Sequence, residues 1–313
     1  MTRSTKSPIA ARIANAIPNG AHRNTVGLRA MPLADWIEDG EDFTPQLRER
    51  AHLLASRDDV VKSLPSSQAA QRELLALLSA HLREHLAEHY TFRCAGGIDQ
   101  VTVHATAHTL SFNEEHNGQS CTALRLAAHL VAEDLCLLQA DASGQYRLTA
   151  AALCFPTRWR LSAKLGQALL DIHSPVPGYA DEVGAATDRV MSSLDSTRPL
   201  WRHNWSLLDS PVLYQPERIV LKRALRAHEL GQRLWMRSER QTLRRLPHSG
   251  AVLFTIRIRQ CTLDELCQQA GVAARLLTQL RTMPAALKVY KGLQQMDELL
   301  YDYLCDVPNR PFS

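Results

Sequence analysis

Leucines recur at every fourth position along residues 66–90, at Leu74, Leu78, Leu82 and Leu86, with no glycine or proline between them. That spacing predicts an amphipathic helix, which Gly96-Gly97 then terminates. Residues 101–107 alternate like a strand, and 121–138 return to a helical pattern with Glu133 and Asp134 on its polar side. The period then changes. Residues 146–155 read as a strand, 162–172 and 179–194 as helical stretches separated by the breaker SPVPG, and 201–208 as extended. Residues 216–231 suit a short helix or loop, and 234–242 are extended again. GAVLFTIRIR, residues 250–259, is the strongest strand signal, being β-branched, aromatic and alternating. From 262 to 304 the pattern is helical, with Pro284 at a tolerated early position of the last helix. Helices, one strand, helices, three strands and helices in that order predict an α+β domain built on an antiparallel sheet. Residues 1–30 read as a flexible tail and 31–313 as a single domain, its lead-in anchored by Trp36 and Phe43.

Composition narrows the class. The chain has 313 residues, 45% hydrophobic and 22% charged, which excludes a disordered or collagen-like chain. Charge interrupts every apolar run before membrane-spanning length, so no membrane partner is expected. A net charge of +4 is too mild to imply nucleic acid. Seven scattered cysteines without a CxxC pair fit reduced thiols and a cytoplasmic location. The basic N-terminus lacks the apolar stretch of a secretory signal, and its arginines leave organelle targeting open.

Three segments carry candidate chemistry. His81-Leu-Arg-Glu84-His85 is an HxxEH that overlaps a second copy ending at Glu88-His89. Such a motif can hold zinc, but two overlapping registers with no third ligand fit a His-rich helix flank better. In the segment 171–179, His173 precedes Pro175 and Pro177, which stiffen the backbone around it. A metal ligand benefits from that rigidity, whereas a helix stop with an incidental His is the plainer alternative. Residues 237–259 hold six arginines against one acid, Glu239, and clustered guanidinium groups suit carboxylates or phosphates. An exposed basic hairpin would look the same. No Gly-rich dinucleotide or Walker motif occurs, and the cysteine spacing fits no iron–sulfur cluster.

ALCFPTRW, KLGQALLDIHSPVPGY, RHNW and ERQTLRRLPHSGAVLFTIR occur in that order. Together they resemble signatures of the haem-dependent oxidative N-demethylase alpha-subunit family, over roughly residues 33–304. The resemblance implies a PAS-like antiparallel sheet with helices on one face, holding haem b, plus additional N- and C-terminal helices. It implies oxidation of a small secondary amine such as dimethylamine with O2. Electrons would come from NADPH through FMN and a 2Fe–2S cluster on a separate reductase subunit. On this basis His173 is the axial ligand. Arg240 and Arg244, helped by Arg158, pair with the haem propionates, and Trp205 lies beside the cofactor. Glu239 or Tyr179 accepts the amine, and Asn204 donates toward dioxygen. Cys154 is the rival ligand. A haem-PAS gas or redox sensor and an inactive homologue are the alternatives.

Overall fold

The alternating segment that ends the sheet-forming part of the sequence lies at its centre. The computed structural model describes residues 9–23, 25–112, 122–217 and 226–307. In chain order come α1 (Ile9–Ala14), β1 (Arg29–Ala30), α2 (Phe43–Ser56), β2 (Val61–Ser63) and α3 (Gln68–His85). A small sheet of β3 (Tyr90–Ala95), β4 (Ile98–Val103) and β5 (His108–Ser111) follows. Then α4 (Thr122–Leu130) leads into β6 (Asp134–Ala140) and β7 (Tyr146–Ala152). A helical crossover of α5 (Leu169–His173), a wide π turn (Tyr179–Gly184) and α6 (Ala185–Ser193) returns the chain to β8 (Leu200–Leu208). Next come α7 (Leu230–Arg233), β9 (Trp235–Arg245) and β10 (Val252–Thr262). The last helices are α8 (Leu263–Cys267), α9 (Val272–Thr282), α10 (Ala285–Lys291) and α11 (Asp297–Asp306).

The fold is α+β. The large sheet has seven strands in the order β1-β8-β9-β10-β6-β7-β2, all pairs antiparallel. Side chains on a strand alternate between faces, so each face collects every second residue. On one face Leu137, Ala150 and Leu253 pack under α2, α3 and α4, whose Leu47, Leu74, Leu78 and Leu82 are buried. On the other, Leu138, Leu148, Leu243 and Val252 pack against Leu169, Met191 and Leu194 of the crossover region. A third cluster joins α1 and the C-terminal helices to Leu207, Met236 and Cys261 at the far end of the strands.

Two expectations change. The stretch read as a tail is built into the molecule from residue 9. Ile13 and Ile17 are buried, and β1 pairs with Leu200 and Trp201. Ile9, Ile13 and Ile17 recur at four-residue spacing, a stripe obscured by the surrounding arginines and polar residues. Residues 1–8 and 24 lie outside the described residues. The helix read over 121–138 stops at Leu130, and β6 begins at Asp134. Glu133 and Asp134 are fully buried rather than on a polar side. Asp134 pairs with buried Arg50 at 2.7 Å and accepts the amides of Cys154 and Phe155 at 2.7 and 3.2 Å. Removing one partner of such a pair costs about 3–5 kcal/mol. The strand expected over 101–107 is β4, which ends in a turn after Val103. Among the described residues no helix is long and apolar enough to cross a membrane.

Candidate functional site

The crossover between β7 and β8 carries the proline-stiffened segment. Gly178 stands at φ 74°, in the left-handed region that favours glycine, and lets the chain leave SPVPG directly into the π turn. His173 is the last residue of α5 and half-buried. Its Nδ1 lies 2.8 Å from the Leu169 carbonyl oxygen. A carbonyl only accepts, so Nδ1 carries the proton and Nε2 of the neutral ring keeps its lone pair. Burial lowers the His173 pKa, and Lys164 and Arg202 lower it further, which favours that neutral form. Tyr179 stacks on the imidazole at 4.4 Å with the planes 12° apart and fixes the ring.

Glu239 lies on β9 opposite Asn204 of β8, on the sheet face that the crossover covers. One carboxylate oxygen accepts from the Thr157 hydroxyl at 2.7 Å. The other accepts from the amides of Gln241 at 2.8 Å and Asn204 at 3.3 Å. Arg202, opposite Gln241, is electrostatically coupled to Glu239, Tyr179 and His173, and so joins the two halves of the site. Its Nη1 donates to the Val26 carbonyl at 3.0 Å. Lys164 donates to the Ile172 carbonyl, and its ammonium lies 5.8 Å from the Trp159 ring. Burial lowers the pKa of both cations. The crossover and the strands beneath it therefore bring together a neutral imidazole and desolvated cations held by backbone carbonyls. That donor set suits a ligand that brings both a metal and carboxylates.

Arg158 adopts φ 59°, a left-handed conformation that costs an ordinary residue about 1–2 kcal/mol. Its Nη1 donates to the Lys291 carbonyl at 3.1 Å, at the end of α10. Arg237 is buried against the Phe155 carbonyl at 2.7 Å and the Thr157 hydroxyl at 3.0 Å, and burial lowers its pKa to about 10.

Arg240 and Arg244 do not join this group. Parity places them on the opposite face. Arg240 donates to the carbonyls of Trp36 (3.2 Å) and Asp35 (2.6 Å) and pairs with Glu38 at 3.2 Å. The Arg244 guanidinium lies 4.2 Å from the Trp36 ring centroid. Trp205 also turns away, its ring packing in the cluster of α1 and the C-terminal helices. Tyr179 stands against His173 rather than beside Glu239, so of the two acceptors expected for an amine only Glu239 is grouped with Asn204. Cys154 is buried in the core under α2–α4, on the side of the sheet away from the crossover that carries His173, and burial pushes its thiol up to about 12.

The HxxEH helix ends at His85, so its two copies never form one continuous helix. His81 is buried edge-on to Trp36 at 5.1 Å, and burial lowers its pKa to about 4. Among the described residues the group of three ligand-type side chains is Asp39, Glu88 and His89, which includes neither His81 nor His85. A surface cavity of about 280 Å³ adjoins Trp159, but its charges are matched internally as Arg57–Asp59 and Arg160–Glu217. Sequence reasoning missed Thr157, Gln241, Lys164 and Lys291. The first three stand inside or beside the quoted motifs, whereas Lys291 had no motif to mark it.

The family model that matches the chain covers residues 27–301 and is described as haem-dependent oxidative N-demethylase, alpha subunit-like.

Proposed function

The chain belongs to the haem-dependent oxidative N-demethylase, alpha subunit-like family, and from that premise we propose that it binds haem b through His173 Nε2. In this reading it demethylates a small secondary amine such as dimethylamine, with O2 as co-substrate. The strand arrangement supports a PAS-like core. A β6–β7 hairpin, a helical crossover and the β8–β9–β10 meander assemble in the spatial order β7-β6-β10-β9-β8. The observation that carries the reading is the Nδ1–Leu169 hydrogen bond, which leaves Nε2 as the basic nitrogen of a rigid, neutral imidazole.

The residues fit the cofactor. Lys164 and Arg202, desolvated and bonded to backbone carbonyls, take over the propionate role expected of Arg240 and Arg244. When bound, haem supplies the oxygen binding and electron transfer. The chain's own groups do the rest. Tyr179 and Leu169 orient the imidazole. Glu239 receives three donors, and a carboxylate has about four lone-pair sites, which leaves one for the N–H of an alkylammonium substrate. Asn204 spends one amide hydrogen on Glu239, so its second is the one available to a bound ligand.

Membership of an alpha-subunit-like family supports a multi-subunit enzyme, and we assign electron delivery to a partner carrying FMN and a 2Fe–2S cluster. The test is absorption spectroscopy of the hemin-loaded chain. A Soret band that His173→Ala abolishes or shifts, and that dimethylamine perturbs in the parent, is the expected result. A spectrum indifferent to His173→Ala refutes the ligand. A Soret band indifferent to amines moves the protein to the sensor class.

A further inference from the structure

We propose that Lys291 is a positioning residue of the amine site: its ammonium fixes the side-chain amide of Asn204 and, through it, the carboxylate of Glu239. This rests on the reading of Glu239 as the amine acceptor. Lys291 ends α10, just before Gly292 at φ 72° turns the chain away. Its Nζ lies 2.6 Å from the Trp205 carbonyl oxygen, 3.5 Å from Asn204 Oδ1 and 5.1 Å from the Trp205 ring centroid. An ammonium only donates, so Asn204 must turn its oxygen toward Lys291. The amide NH2 then faces Glu239 Oε2, where it donates at 3.3 Å. With the amide reversed, its oxygen would face the carboxylate and its NH2 the ammonium, two repulsive contacts in place of two attractive ones. The backbone carbonyl of Lys291 accepts from Arg158 as well, so one residue ties α10, β8 and the 156–159 stretch around Glu239.

Several charges face Lys291. Glu239 on β9 raises its pKa, Arg202 on β8 lowers it, and His22 of the N-terminal segment lies within its field. Burial outweighs these and brings Lys291 down to about 8. Burial also lowers His22, which is neutral at that pH, and the arginines keep their charge. Lys291 is therefore the group that loses its proton as pH rises through about 8.

The sign of the effect separates positioning from simple electrostatics. Removing a positive charge near Glu239 would tighten binding of an alkylammonium ion. Releasing the Asn204 amide loosens it. The experiment titrates dimethylamine into the hemin-loaded parent, Lys291→Met and Lys291→Arg, following the Soret perturbation and the amine-induced thermal shift. We expect Lys291→Met to weaken the amine about tenfold, the worth of one hydrogen bond to a charged acceptor, with Lys291→Arg recovering most of it. In the parent, amine affinity falls as pH rises through about 8. Affinity that is unchanged or tighter in Lys291→Met refutes the proposal. So does a parent profile that is flat or rising, a measurement that needs no variant to fold. A parent that binds hemin yet gives no amine response defeats the amine reading itself, and the role of Lys291 falls with it.

Discussion

Glu239→Gln isolates the one carboxylate on which amine recognition is placed. The substitution keeps shape and volume while removing the charge. In the parent, Thr157, Asn204 and Gln241 all donate to that carboxylate. A glutamine presents an NH2 on one side, so at least one of these donors faces another donor. Losing a hydrogen bond to a charged group costs about 1.5–3 kcal/mol, which for a cationic amine means about a ten- to hundredfold weaker complex. Arg202, Arg237 and Lys291 all lose the anion that stabilises their charged forms, so folding stability falls as well, by about 1–3 kcal/mol. The assay pairs urea denaturation with Soret titration by dimethylamine. Haem content should persist, because His173 and its Leu169 contact are untouched. An amine affinity equal to the parent's, in a variant that retains haem, would show that Glu239 does not receive the substrate.

Ile13→Ala tests whether the N-terminal segment belongs to the folded unit. Ile13 is 1% exposed, so truncation should cost about 2–5 kcal/mol in chemical denaturation, against less than about 0.5 for a residue in a tail. His81 contributes an acid sensitivity. Its folded pKa of about 4 lies below the 6.5 of the unfolded chain, so the unfolded state binds more protons between those values. Stability from this group is complete above pH 6.5 and declines toward pH 4, by up to about 3 kcal/mol at 1.36 kcal/mol per unit. In a pH series of urea melts, His81→Leu should flatten that part of the curve, and an unchanged slope would assign it elsewhere.

Local pattern carried the sheet and failed at its facing. The 250–259 signal is β10, the central strand, because β-branched and aromatic residues recurring at the two-residue period report an extended chain with a buried face directly. The leucine stripe of α3 holds for the same reason: Leu74, Leu78 and Leu82 all lie against the core. The 121–138 region misled because an apolar run reads alike as helix or buried strand, and nothing local shows that Asp134 meets Arg50 from 84 residues away. Within ERQTLRR, residue type was legible and parity was not. Glu239 and Arg240 are neighbours in sequence that face opposite sides, and only the packed sheet decides which side the crossover covers. Lys291 was illegible for a further reason, since it meets Asn204 across 87 residues.

Two of the shortest strands have a role beyond the site. The two residues of β1 and the three of β2 form the outermost members of the large sheet, both supplied by the first quarter of the chain. Edges left open are templates for further pairing between molecules. A protein trimmed past Ala30 would uncover the backbone of Leu200 and Trp201 and gain a sticky rim, turning a discrete particle into a precursor of strand-to-strand aggregates.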